Sequence, residues 1–380
     1  MNMYREHVMA LQQNMAKADM EAALISDPDS IYYFTGYAGY LGVEFGRPTL
    51  LFVPADGNCV LVTPLMESEM CRNMTWVDDI RPWEDGVDGE WRQSLRQLIP
   101  ARCRLGLDAA IAPPQVTGFI GDQLDIEMLD VITLTRALRM IKSAAETDIM
   151  RQAGQVAIAM VEAARDTIAV GVPEYEVALA VINGGTRRAA ELIGTDDAQR
   201  FFSPTIYNLQ VLQSGHDTCM VHRRSSVRRI ASGDPVYLCF CGIANFKHYK
   251  LGFDREFFVN SVGDQLAQAH DVTLRAQRAA LDAIRPGVVA EAVHLAADAV
   301  YKEAGFAPSY RTGRSIGCSF LESPELKLGD RTVLETGMTF AVDGGITVPG
   351  QYGTRVGDSI VVTDNGFEYL TPYPRELCVL

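Results

Sequence analysis

The chain has 380 residues, 48% hydrophobic and 22% charged, with a net charge of −14. That length suits two domains, each able to bury a core. The acidic balance argues against a nucleic-acid partner, because phosphate binding rests on a clustered excess of Lys and Arg. No stretch offers roughly 18 consecutive apolar residues, so no membrane partner is expected. The opening MNMYREHVMALQQNMAKADM carries charges where a signal's apolar centre would lie. The eight cysteines form no CxxC pair, which reads as reduced thiols in a cytoplasmic protein.

In chain order, residues 4–20 predict an amphipathic helix, followed by the apolar run AALISDPDSIYYFTGY. TLLFVPADGNCVLVTP predicts strand, turn at Asp56-Gly57-Asn58, and strand. RLGLD predicts a short strand, residues 114–128 a further helix, and VITLTRALRMIKS leads out of an α/β domain spanning 1–140. Ser143 and Glu146 form a capping box. The helix it opens repeats apolar residues at Ile149, Ala153, Val156, Met160, Ala164 and Ile168. It stops at Gly171, and Pro173 starts another helix.

Residues 141–380 repeat weakly. Ile168-Ala-Val-Gly171-Val resembles Ile284-Arg-Pro-Gly287-Val, and strand runs GDPVYLCFCG…DREFFV and ETGMTFAVDGG…GDSIVV follow the two helix pairs. Two copies of helix–helix–strands suggest a pseudo-symmetric α+β domain with its site between the copies.

Taken together, SDPDSIYYFTGY, LRMIKSAAETDIMRQA, SGHDTCMVH, VYLCFCG, RTGRSIG, LETGMTFAVDGG, GTRVGDSIVV and the closing LTPYPREL resemble the creatinase / aminopeptidase P / prolidase ("pita-bread") superfamily over essentially the whole chain. The resemblance implies a creatinase-type N-terminal domain and a pita-bread catalytic domain. Its metallopeptidase members bind two divalent ions through two Asp, one His and two Glu. Lined up on those motifs, the positions here are Cys239, Gly252, Arg314, Asp343 and Gly357. A dinuclear site needs anionic oxygens, and arginine cannot coordinate near neutral pH. The expectation is therefore a branch with no metal and no cofactor.

His222 stands where the superfamily, metal-free creatinase included, places a proton-transferring histidine. Imidazole titrates near neutrality and suits acid–base work. Asp343, at the end of an apolar strand, is a second acid/base or a grip for a substrate N–H, or else a turn aspartate before glycines. Arg314 is expected to hold an anion, and Arg355 either does the same or supports the site structurally. A plainer possibility is that Arg314 pairs with Asp343 and fills the vacated space. Phe45-Gly46-Arg47 resembles a creatinase tripeptide that reaches a neighbouring subunit's site, which implies Arg47 as a carboxylate anchor and a homodimer. Cys239 is either a nucleophile or strand core. Strand alternation puts Asp254 and Glu256 on one face, where they either replace lost acidity at the site or, as the leading expectation, form an exposed charged edge.

These readings point to a metal-independent hydrolase of a non-peptide C–N bond in a small carboxylate-bearing nitrogen compound, creatinase- or ectoine-hydrolase-like, with His222 as acid/base. Two alternatives remain: a lyase cleaving another C–X bond of a small acid, and a peptidase-like module that only binds.

Overall fold

The structure is a computed structural model that describes residues 2–207, 211–307 and 310–380. The chain divides into Met1–Arg139 and Met140–Leu380. The first unit runs α1 (Met3–Lys17), β1 (Ala22–Ile25), α2 (Pro28–Thr35), α3 (Leu41–Phe45), β2 (Leu50–Pro54), β3 (Val60–Pro64) and α4 (Ser68–Met74). It continues β4 (Asp79–Trp83), α5 (Trp91–Leu98), β5 (Cys103–Leu107), α6 (Pro114–Gln123), β6 (Ile126–Asp130) and α7 (Ile132–Met140). The strands form a mixed sheet in the order β4-β3-β2-β1-β5-β6. Its apolar face, with Leu24, Leu50, Val62 and Leu105, packs on Trp91 of α5 and Phe119 of α6.

Local chemistry sets the boundaries. Asp27 accepts from Ser30 N–H at 2.9 Å, Pro28 supplies the first-turn φ, and α2 closes on Gly36 at φ +78°. The helix expected over 114–128 ends at Gln123. Leu124 turns extended, and Ile126–Asp130 pairs in parallel with β5 as an edge strand. Sheet pairing there outweighs a weak helical preference.

The second unit runs α8 (Ala144–Thr167), α9 (Glu174–Ile193), β7 (Val211–Ser214), β8 (Pro235–Cys239), β9 (Asn245–Phe246), β10 (Tyr249–Lys250) and β11 (Asp254–Phe258). It continues α10 (Asp264–Ala283), α11 (Ala290–Glu303), β12 (Arg311–Ser315), β13 (Glu322–Lys327), β14 (Thr339–Val348), β15 (Tyr352–Thr363), β16 (Gly366–Tyr369) and β17 (Cys378–Val379). The main sheet has the order β13-β12-β14-β15-β11-β8-β7. The capping box is formed in both directions, with Ser143 N–H donating to Glu146 at 2.8 Å.

The weak repeat is geometrically real. Helices α8 and α10 end on Ile168 and Ile284 with ψ 116° in both, and Gly171 and Gly287 follow at φ +85° and +87°. Only glycine adopts that conformation without strain, so the same turn needs the same residue. The next helix is preceded in each copy by an antiparallel bridge, Pro173 to Arg229 and Val289 to Val333. The fold is thus an α/β domain followed by a pseudo-symmetric α+β domain, as the sequence implies.

Candidate active site

Four adjacent strands place one residue each in a single row. Asp343 of β14 is in register with Gly357 of β15, Gly357 with Asp254 of β11, and Asp254 with Cys239 of β8. Neighbouring strands lie about 4.8 Å apart, so side chains in one row meet. Cys241, two residues beyond Cys239, falls on the same side and donates to Asp254 Oδ1 at 3.5 Å.

One expectation is corrected here. Asp254 and Glu256 do share a face, but β11 is a central strand, and both are buried at 3% and 4% exposure. Asp254 faces the cavity, whereas Glu256 accepts from Thr354 Oγ1 at 2.5 Å and lies 3.3 Å from His270 Nδ1. Arg255 points the other way and donates to Asp358 at 2.6 Å. Asp254, in register with Cys239, adds a carboxylate to the row beside the lined-up Gly252. The Gly252 N–H donates to Ser359 Oγ at 3.0 Å, and a Cβ there would stand 2.5 Å from that of Ala341 and 3.3 Å from Arg314 Nη2. Gly357 is closed too, since its Cβ would come within 2.6 Å of Asp254 Oδ2 and 3.0 Å of Asp343 Cβ. A larger residue at 357 would separate the two aspartates.

Arg314 of β12 completes the acidic pair. Its guanidinium donates to Asp343 Oδ2 and, at 3.1 Å, to Cys241 Sγ. It lies 4.3 Å above the Phe320 ring and is 4% exposed. Burial works against its charge, but Asp343 outweighs burial and holds its pKa above the ordinary arginine value. Burial and the nearby Asp343 charge raise the Asp254 pKa, so its carboxyl keeps a proton more readily than a free aspartate. The neighbouring Cys241, followed by burial, pushes the Cys239 thiol well up.

These groups line a cavity of about 170 Å³ together with His222, Tyr237, Arg355 and Tyr310. The cavity is smaller than the roughly 300–1,000 Å³ of sites for drug-sized ligands. His222 is exposed at its rim, and its ring hydrogen-bonds no protein group among the described residues. Its loop is pinned from both sides. Gln213 donates to the carbonyls of Met220 and, at 3.1 Å, Arg223. Arg223 forks onto Glu174, which also accepts from the backbone and hydroxyl groups of Ser214 and Ser226. Burial would raise the Glu174 pKa, but Arg223 and the serines outweigh it and lower the value. Sequence reading passed over Glu174; its only signal was a carboxylate following Pro173 at a helix start.

The remaining predicted residues fall as follows. Arg355 donates to Thr347 Oγ1 at 2.8 Å and pairs with no carboxylate among the described residues, so its charge is available in the cavity. In the first unit, Phe45 is 61% exposed against the edge of Tyr40, and Arg47 bonds Asp85 Oδ2 through Nε at 2.7 Å and Nη2 at 2.6 Å.

A family description, "Metallopeptidase family M24", matches residues 148–364, and "Creatinase/Prolidase N-terminal domain" matches residues 8–141. The chain belongs to metallopeptidase family M24. Among relatives of this M24 chain, the agropine synthesis cyclase of Rhizobium rhizogenes is 32% identical, covering 97% of this chain and 96% of that one. The Xaa-Pro dipeptidase of Pyrococcus furiosus is 26% identical over 98% and 99%. Of solved structures, dipeptidase PepE from Mycobacterium ulcerans superposes with a TM-score of 0.81 at 27% identity, covering 99% and 98%. The prolidase from Thermococcus sibiricus superposes at 0.85 with 22% identity over both whole chains, which bears on the fold alone. Among the described residues, no helix is long and apolar enough to cross a membrane.

The family name implies metal, but this cavity offers few ligands for it. Of the five lined-up positions, Cys239, Gly252, Arg314, Asp343 and Gly357, one holds a carboxylate, and Asp254 in the same cavity adds a second. Two hard cations need more anionic oxygen than that, and the Arg314 guanidinium already holds Asp343 and Cys241. Cys239, Cys241 and Asp254 keep their donor atoms within 4.8 Å of one another, a set suited to one soft ion rather than two hard ones. The residues do not fit the family's pair of ions.

Proposed function

We propose that this M24 chain performs hydrolase-type acid–base chemistry on a small carboxylate-bearing nitrogen compound, without the two-ion centre of its peptidase relatives. The observation that carries this reading is the Arg314 guanidinium lodged between Asp343 and Cys241, in a cavity onto which His222 opens. A fixed cation stands where the superfamily has a ligand, and an imidazole stands ready to move a proton.

The roles follow from placement. Arg355, the cation with no carboxylate partner, holds the substrate carboxylate. His222 takes the proton of the oxygen that attacks the carbon of the C–N bond. Asp254, whose pKa is raised above the ordinary aspartate value, takes up a proton readily and passes it to the departing nitrogen. Arg314 and Asp343 fix the charge of the site, and the small cavity suits a compound smaller than a peptide.

A second reading is supported by the relative named agropine synthesis cyclase. If the attacking oxygen belongs to the substrate instead of to water, the same base and acid close a ring. Product mass separates the two readings: hydrolysis adds one water, and ring closure removes one or expels the nitrogen. Thermal-shift screening of guanidino acids, cyclic amidine acids, N-substituted amino acids and Xaa-Pro dipeptides, followed by turnover assays with chelator present, tests the reading. A small acid should bind and turn over. Arg355→Ala should weaken its binding by about 10- to 150-fold, the equivalent of about 1.5–3 kcal/mol for a charge-assisted hydrogen bond. Turnover confined to Xaa-Pro dipeptides with added Mn²⁺ would refute it.

Exposed Phe45 and half-buried Arg47 support a homodimer in which Arg47 supplements the anchor in a second copy's site. The Asp85 pair is exposed and worth little, so Arg47 can exchange partners. Light scattering at micromolar concentration should give a dimer, and a monomer would remove Arg47 from the site.

A further inference from the structure

We infer that Cys241 is a covalent nucleophile, with Asp254 as its proton acceptor and Arg314 as the cation that stabilises its sulfur. The inference rests on the proposed reaction but is tested without a substrate. Its basis is a three-part contact inside the cavity. Cys241 Sγ donates to Asp254 Oδ1 at 3.5 Å and accepts from Arg314 Nη2 at 3.1 Å. A thiol becomes reactive when a base sits within hydrogen-bond reach and a positive group faces the sulfur. Among the described residues Arg314 has a buried Nε without a hydrogen-bond partner, so the guanidinium retains a donor.

Other cysteines provide the contrast. Burial pushes the thiols of Cys59 and Cys71 up to about 12, and among the described residues no cation hydrogen-bonds either sulfur. Cys239 lines the same cavity, but Arg314 donates to Cys241.

The chemistry balances. The Cys241 proton passes to Asp254, and the sulfur forms a bond to the acyl or amidine carbon. The C–N bond breaks with its electron pair on nitrogen, which takes the proton from Asp254. Water, or a hydroxyl of the same substrate, then gives its proton to His222 and forms the C–O bond. The carbon–sulfur bond breaks, and the thiolate recovers its proton from His222. No oxidant, reductant or further reactant is needed, and both hydrolysis and ring closure proceed from the same intermediate.

The test is iodoacetamide labelling of the full-length reduced protein at pH 7, with the label at each of the eight cysteines followed by peptide mass spectrometry. Cys241 should label at least about tenfold faster than Cys59, Cys71 and Cys239, the factor expected from one charge-assisted hydrogen bond. Arg314→Lys should retain most of that advantage, and Arg314→Gln should lose it. The wild-type pattern alone decides the matter if the glutamine variant does not fold. Labelling of Cys241 no faster than Cys59 would overturn the inference. So would protection of Cys239 and Cys241 together that a chelator removes, since that pattern identifies a bound soft ion. Either result leaves the small-acid screen to stand or fall separately.

Discussion

His222→Ala should lower turnover of the identified substrate by about 100- to 10,000-fold, the usual contribution of a positioned proton carrier. The attacking oxygen needs a base, and the residues present do not suit two ions that would acidify it. Asp343 is committed to Arg314, and Asp254 lies deep in the sheet, so the imidazole at the cavity rim is the group with ring nitrogens free to exchange protons with solvent. The side chain is exposed and bonds no protein group among the described residues, so its removal should change stability by no more than about 0.5 kcal/mol. Binding should change little, because Arg355 carries the carboxylate. A fall in kcat with KM nearly unchanged is therefore expected. Full activity would show that the proton carrier lies elsewhere.

Arg314→Leu should destabilise the second unit by about 3–5 kcal/mol at pH 7, the cost of leaving a buried charge unpaired. Arg314 is 4% exposed, and without it Asp343 and Asp254 face each other across Gly357 with no cation between them. The cation–π contact with Phe320 is lost as well. The loss should depend on pH, and its sign follows from Asp254. A carboxyl whose folded-state pKa is raised contributes stability fully below its unfolded value. That contribution is lost as pH rises through the folded value. Removing the cation raises the folded value further, so variant and parent should differ least near pH ~4, around the ordinary aspartate pKa, and most above neutrality. Urea unfolding at both pH values measures the difference. A loss below about 1 kcal/mol at pH 7 would mean that the pair behaves as a solvent-screened surface bridge.

The fold was legible because local rules and the global pattern agreed. The Ser143–Glu146 box, the Gly171 and Gly287 turns and the strand–turn–strand around Asp56-Gly57-Asn58 each announce themselves within a few residues. The edge strand Ile126–Asp130 was missed because its pairing partner lies some twenty residues earlier. The site was half legible. His222, Arg314, Asp343, Cys239 and Arg355 do converge on one cavity. Asp254 stayed between a site role and an exposed edge because alternation tells which residues share a face but not whether the strand is central or at an edge. The contact of Cys241 with Arg314 joins residues 73 positions apart, and only strand order brings them together. Gly357 looked like an absence, yet it is the space into which the two aspartates fit.

This M24 chain is proposed to work without the paired ions of its relatives. Elemental analysis of protein purified without chelator, then supplied with Mn²⁺, Co²⁺ or Zn²⁺ and desalted, addresses it most directly. Well under one divalent ion per chain is expected, with turnover unchanged by chelator. Two ions per chain, with activity that follows their loading, would contradict it.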